Sequence, residues 1–215
     1  MSANAGTSVA VFVAIKPLAA AKSRFTGVED AQRQALVLAM LDDVLASIRS
    51  AHEGILTVIS EDPSYDALAE RHRARREPDA ATGYRAAVQA ELIAAASAGT
   101  RAALIVPADV PGLTAHDVEA LLGALETVEV VLAPGIDGGT SALGLRPPTA
   151  IPVAFGPQSG WLHRRLAEVS GRRLAELALA SLAVDVDTLD DLEAAARVAG
   201  PATTKVIESI RAASR

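Results

Sequence analysis

The chain of 215 residues contains no cysteine. Disulfides, thiolate metal sites and cysteine nucleophiles are therefore excluded, and a reducing compartment is compatible with it. Aromatic residues are scarce as well, at 3% of the chain, while half of all residues are hydrophobic. The core must then be built from aliphatic side chains. An excess of positive charge is also missing. The formal net charge is −6, and no basic face or stripe of the kind a general nucleic-acid binder carries is apparent. No apolar run approaches the ~20 residues needed to span a bilayer. The run Val9–Ile15 has no basic residue before it and leads straight into Lys16, which reads as a first core strand rather than a signal peptide. The expectation is a cytoplasmic protein with neither nucleic acid nor membrane as partner. Three catalytic signatures are absent too: the P-loop G-x-x-x-x-G-K-[ST], the dinucleotide G-x-G-x-x-G and the hydrolase G-x-S-x-G. The four histidines, at 52, 72, 116 and 163, have no zinc spacing.

What is present is an alternation of short apolar runs and longer amphipathic stretches. Strands are expected at Val9–Ile15, Ile55–Ile59, the run ending at Val106, and Val128–Ala133. Helices are expected over Asp30–Ala51, Tyr65–Arg73, Gly83–Ala96, and from Thr114-x-x-Asp117 to about Glu126. Glycine and proline punctuate residues 134–157, where short strands are expected. A helix then follows Ser159 to Val169. A last strand holds Asp185. Thr188-x-x-Asp191 opens a helix that Gly200-Pro201 ends, and a final helix runs from Thr203. No linker, repeat or low-complexity segment divides the chain, so one domain over 1–215 is expected. This order predicts an α/β fold, a mostly parallel sheet with helices on both faces.

Five places carry chemistry. In Leu104-Ile105-Val106-Pro107-Ala108-Asp109-Val110-Pro111 an apolar run ends on a carboxylate, and open α/β sheets bind ligands outside the carboxyl ends of their strands. Leu182-Ala183-Val184-Asp185-Val186-Asp187 has the same layout. Two such carboxylates could cradle a hard cation such as Mg²⁺, with Asp187 in reserve, or each could cap the next helix. After the first strand, Lys16, Lys22 and Arg24 form a local anion trap, or a solvated basic turn. Asp137-Gly138-Gly139-Thr140-Ser141 could present backbone amides and hydroxyls to an anion, or make a hairpin turn. Gly156-Pro157-Gln158-Ser159 opens a helix, where Ser159 could cap it, or the open N-terminus could bind an anion. His163, Arg164 and Arg165 follow on its first turns, as ligand contacts or solvated groups.

Taken in order, Ala14-Ile15-Lys16-Pro17-Leu18 with Ala21-Lys22-Ser23-Arg24, Pro107-Ala108-Asp109-Val110-Pro111, Asp137-Gly138-Gly139-Thr140, Phe155-Gly156-Pro157-x-Ser159 and Asp185-Val186-Asp187-Thr188-x-x-Asp191-Leu192 resemble the CofC/FbiD guanylyltransferases of deazaflavin coenzyme F-420 biosynthesis. The resemblance runs over about Val9 to Leu192. It implies a Rossmann-like nucleotidyltransferase fold of the MobA-like kind, and an enzyme that joins GMP from GTP to a phosphorylated three-carbon acid and releases pyrophosphate. It further implies that Asp109 and Asp185 hold Mg²⁺, with Asp109 also at the nucleotide. Thr140, Gly156 and Ser159 would bind the acid, and Lys16, Lys22 and Arg24 would face the triphosphate and serve catalysis. Family members often have Leu-Asn in the helix start where this chain has Gly83-Tyr84-Arg85, and many have Thr-Asn where it has Thr140-Ser141. The guanidinium of Arg85 and the small hydroxyl of Ser141 would suit a more polar acid, favouring 3-phospho-D-glycerate over phosphoenolpyruvate or 2-phospho-L-lactate. A nucleotidyltransferase using CTP or another acceptor, and a non-catalytic nucleotide-binding module, are the rival readings. A homodimer is left open.

Overall fold

The computed structural model describes residues 8–21, 28–78, 83–182, 191 and 195–213. Its elements are β1 (Val9–Ala14), α1 (Asp30–Ala51), β2 (Ile55–Ile59), α2 (Asp66–Arg71), β3 (Arg75–Glu77), α3 (Tyr84–Ser97), β4 (Ala102–Pro107), α4 (Ala115–Leu125), β5 (Val130–Pro134), β6 (Thr140–Leu145), α5 (Ser159–Val169), β7 (Leu174–Glu176) and α6 (Pro201–Ala213). The expected strand around Asp185 and the start of the helix from Thr188 lie outside the described residues. No helix among the described residues is long and apolar enough to cross a membrane.

The strands form one sheet in the order β3-β2-β1-β4-β6-β5-β7. β3, β2, β1 and β4 run parallel, and β7 runs parallel to β5. β6 is antiparallel to both its neighbours. Side chains alternate across a strand, so each central strand feeds two cores. Val11, Val13, Leu104 and Val106 meet Leu41 and Leu45 of α1, Leu121 of α4 and Ile207 of α6 on one face. Phe12, Ile105, Leu132 and Leu143 meet Val88 and Leu92 of α3 and Ala167 of α5 on the other. The expected sheet with helices on both faces is therefore present. Aliphatic residues dominate both cores, as the shortage of aromatics requires.

Two strands were not expected from the sequence. β3 is Arg-Arg-Glu and β7 is Leu-Ala-Glu, three residues each, and they lie at the two edges of the sheet. Short, charged edge strands protect a sheet from pairing with another chain, and the same features erase the apolar signal that reveals a strand.

Local chemistry sets the helix ends. α4 begins with the expected capping box: Thr114 Oγ1 accepts from the Asp117 amide at 3.2 Å, and Asp117 accepts from the Thr114 amide at 2.8 Å. Gly200-Pro201 was expected to end the preceding helix, with a final helix from Thr203; Pro201 is itself the first residue of α6. The reason lies far back in the chain. Buried Asp43 on α1 accepts hydrogen bonds from the amides of Ala202 (3.0 Å) and Thr203 (2.8 Å). A carboxylate at a helix N-terminus satisfies orphan N–H groups and complements the macrodipole, and proline at the first position has no N–H to satisfy. Asp43→Ala should therefore destabilise the protein by about 2 kcal/mol, lowering Tm by several degrees and loosening α6 selectively. Thermal melting and amide exchange of α6 measure this. An unchanged Tm would show that water replaces the carboxylate at no cost.

Candidate active site

The carboxyl end of β4 and the amino end of β6 meet at one edge of the sheet. Asp109 lies just beyond β4, and Thr140 begins β6. Between β5 and β6 the turn Gly135–Gly139 folds over, with Asp137 Oδ1 accepting from the Gly139 amide at 2.7 Å. The segment Val153–Gly156 forms the opposite wall. It is tied to α3 by two contacts: Gln89 Oε1 accepts from the Val153 amide at 3.0 Å, and Arg85 donates to the Phe155 carbonyl at 2.9 Å. A cavity of about 890 Å³ lies between these parts. Asp109, Thr140, Ser141, Gly156 and Ser159 all line it, together with Tyr84, Arg85 and Gln89. Five of the residues singled out in the sequence thus come together.

Lys16 lines a second cavity of about 340 Å³, with Ile15, Pro17 and Glu61. Gly83 and Tyr84 border both cavities. The backbone of the Lys16 turn is anchored from elsewhere in the fold. Tyr65 donates to the Lys16 carbonyl at 2.9 Å, Asp62 accepts from the Leu18 amide at 2.7 Å, and Arg33 donates to the Ala21 carbonyl at 2.5 Å. Lys22, Arg24, Asp185 and Asp187 lie outside the described residues.

Hydrogen bonds correct two readings at the start of α5. Ser159 is not the helix cap. Gln158 occupies that position in the left-handed region (φ 57°), without a side-chain capping bond, and Ser159 is the first helical residue. Nor is the helix N-terminus open. The Ser159 amide donates to the Gly156 carbonyl, and the Gly160 amide to the Gly138 carbonyl, both at 3.1 Å. The close approach depends on glycine, because a Cβ on Gly160 would stand 2.8 Å from the Gly139 carbonyl oxygen. Gly156 has φ +136°, a conformation that side chains rarely adopt. With these two amides engaged, a ligand at this end of the cavity meets the Ser159 side chain and Gly156 rather than these amides.

The basic run on α5 also divides differently from expectation. Arg164 pairs with Glu176 at 2.6 Å and Arg165 with Glu168 at 2.6 Å, both at the surface. His163 is fully buried. Its Nε2 accepts from the Ala154 amide at 2.9 Å, and its Nδ1 lies 3.0 Å from Thr140 Oγ1. Ser159 Oγ is 3.0 Å from the same Thr140 oxygen. Tyr84, Phe155 and His163 stack edge to face, with centroid separations of 5.5 and 5.3 Å. Burial, then the charge of Asp109, raises the Tyr84 phenol well above its ordinary range. The sequence named His163 only together with the two arginines; one signal could have separated it from them, the four-residue spacing from Ser159, which puts both on one helix face.

Burial lowers the His163 pKa to about 4. Between that value and the unfolded value near 6.5, the unfolded chain binds a proton that the native protein refuses. Stability should thus be full above about pH 6.5 and fall as pH drops towards 4, by on the order of 2–3 kcal/mol from this residue. Denaturant unfolding across pH 4–7 measures the loss. His163→Asn should flatten that part of the profile, and an unaltered slope would assign it to other groups, such as the partly buried His52, whose pKa burial also lowers.

Residues 9–210 match the family described as guanylyl transferase CofC like. The phosphoenolpyruvate guanylyltransferase of Sphaerobacter thermophilus is 37% identical over 190 residues, 87% of this chain and 91% of that one. The 3-phospho-D-glycerate guanylyltransferase of Phenylobacterium zucineum is 38% identical over 200 residues, 89% and 91% of the two chains. Among solved structures, a protein from Desulfovibrio desulfuricans G20 described as a nucleotide-diphospho-sugar transferase superposes with a TM-score of 0.74 at 14% identity, covering 94% of this chain and 97% of that one. The fold is thus that of nucleotidyltransferases, and the chain belongs to the CofC-like guanylyl transferase family.

Proposed function

We propose that this protein transfers GMP from GTP to the phosphate of a phosphorylated three-carbon acid and releases pyrophosphate, as a step in coenzyme F-420 biosynthesis. One observation carries the reading. Two adjoining cavities share Gly83 and Tyr84, one with Asp109 and a set of neutral hydroxyl donors, the other with Lys16. Two anionic substrates need two such sites side by side. The relatives named above act, by their names, on acids of this class.

The reaction asks little of acid–base chemistry. A phosphate oxygen of the acid, already anionic, attacks the α-phosphorus of GTP, and the bond to the β-phosphate oxygen breaks. The difficulty is to hold two polyanions in line while charge builds on the leaving group. Lys16 serves the triphosphate in this reading, and we assign Lys22 and Arg24, which follow it in the sequence, to the same task. Thr140, Ser141, Gly156 and Ser159 hold the acid. Asp109 fits a hard divalent cation, because Mg²⁺ takes one or two carboxylates along with substrate phosphates. We assign Asp109 and Asp185 to it. When bound, Mg²⁺ would neutralise charge on the phosphates. Tyr84 remains a protonated phenol beside the Asp109 charge, available as a donor at the junction of the two cavities.

The two relatives named above use different acids and are almost equally similar to this chain, so similarity does not choose between the acids. The site favours 3-phospho-D-glycerate. Arg85 and Ser141 line the acid cavity and offer polar partners for the hydroxyl that phosphoenolpyruvate lacks. Pyrophosphate release and mass spectrometry of the products, with GTP and each of the three acids, test the proposal. The 3-phospho-D-glycerate product should dominate. Dominance of phosphoenolpyruvate would overturn the acid, and turnover only with CTP would overturn the nucleotide. Asp109→Asn should lose most turnover, at least about a hundredfold, with an unchanged melting temperature. Lys16→Ala should raise KM for GTP rather than for the acid, and an equal effect on both would remove Lys16 from the triphosphate site.

A further inference from the structure

The hydroxyl pair at the floor of the acid cavity has a hydrogen supply that can be counted. The Ala154 amide donates to His163 Nε2 at 2.9 Å, so that nitrogen carries no hydrogen. A neutral imidazole must then carry its hydrogen on Nδ1, and Nδ1 donates to Thr140 Oγ1 at 3.0 Å. Thr140 and Ser159 bring one hydroxyl hydrogen each. One of these is used in the 3.0 Å bond between them. The other remains, and both residues line the cavity. In the opposite tautomer Nδ1 would accept instead, Thr140 would give its hydrogen to the ring, and with Ser159 donating to Thr140 none would be left for a ligand. The direction of one backbone N–H thus sets the polarity of the pocket floor.

We propose that His163 is a positioning residue of the acid site, which fixes the Thr140–Ser159 pair as a hydrogen-bond donor towards an anionic oxygen of the bound phospho-acid. This rests on the transferase reading above. His163 itself touches no substrate: it is fully buried behind Thr140, packed edge to face on Phe155. Its removal should act on acid affinity and leave the GTP site undisturbed, because Lys16 and its cavity lie on the other side of Gly83 and Tyr84.

Two isosteres separate positioning from mere packing. The amide nitrogen of His163→Asn can stand where Nδ1 stands and still donate to Thr140, while the Ala154 amide loses its acceptor. His163→Gln reaches the Nε2 position, keeps the Ala154 amide satisfied and leaves Thr140 without its donor. Steady-state kinetics with GTP and the reacting acid should show KM for the acid raised roughly tenfold to a hundredfold in His163→Gln. The same constant should stay within about threefold of wild type in His163→Asn, and KM for GTP should be unchanged in both. Adding His163→Gln to Thr140→Val should cost little further, since the partner of the donor is already gone. The reverse ranking of the two isosteres, fully additive effects with Thr140→Val, or a loss confined to kcat and melting temperature would overturn the assignment and leave a structural histidine. A wild-type protein that guanylylates none of the acids would overturn the parent reading, and this one with it. Turnover by wild type with unaltered KM values in His163→Gln would overturn this one alone.

Discussion

The antiparallel register of β6 against β4 is the constraint on which the site depends. Ala103 pairs with Leu145, Leu104 with Gly144 and Ile105 with Leu143. Continued by three residues, that register brings Thr140 abreast of Ala108, beside Asp109. A parallel β6 would have carried Thr140 to the far end of the sheet, a strand length away. One reversed strand in a largely parallel sheet therefore places hydroxyl donors at the carboxyl edge, where Asp109 already stands. β5 accommodates the reversal with a shift in register between Ala133 and Pro134, just before the Gly135–Gly139 turn that borders the cavity.

An acidic chain that binds anions has to supply its donors sparingly. The described lining of the larger cavity contains one cation, Arg85, and its guanidinium is engaged with the Phe155 carbonyl. The remaining donors are neutral. Neutral donors discriminate by geometry and by the direction of their hydrogens, whereas a cluster of cations would hold any anion of similar charge. Keeping His163 buried and uncharged belongs to the same strategy. A charged imidazolium would need a hydrogen-bond acceptor at Nε2, and the Ala154 amide facing it is a donor.

Much of this could be read in the sequence. β1, α1, β2, β4 and α4 fall within a residue or two of their expected bounds, because each has either an unbroken apolar run or a capping pattern. The Thr114–Asp117 box was readable for the same reason, but Ser181, which donates to Asp117 at 2.7 Å from 64 residues away, was not. A longer separation, 159 residues, hid the Asp43 cap of α6. At the site, Asp109, Thr140, Gly156 and Ser159 stood out because strand ends and glycine turns leave local marks. His163 was grouped with Arg164 and Arg165 as a ligand contact or a solvated group, and its burial was not legible, because it bonds the Ala154 amide and Thr140, nine and 23 residues away. The sequence left open whether Ser159 caps α5, because nothing in Gly-Pro-Gln-Ser announces that Gln158 turns left-handed and takes the cap position.

The few aromatic residues of the chain show where rigidity is wanted. Of three phenylalanines, two tyrosines and one tryptophan, Tyr84 and Phe155 stand on the larger cavity, joined edge to face with each other and with His163 behind them. Aliphatic side chains fill most of both cores, with Phe12 and Tyr65 buried among them, whereas Tyr84 and Phe155 pack only partly buried against one core. Edge-to-face rings add about 0.5–1.5 kcal/mol per pair beyond the area they bury, and they have few rotamers to lose. The stack connects α3, the Val153–Gly156 segment and α5, the three parts that must keep their spacing if the Thr140–Ser159 pair is to face its ligand. A cavity wall of leucines could fill the same space, but it would not hold the imidazole plane at a fixed angle. The orientation of that plane determines where the single remaining hydroxyl hydrogen points.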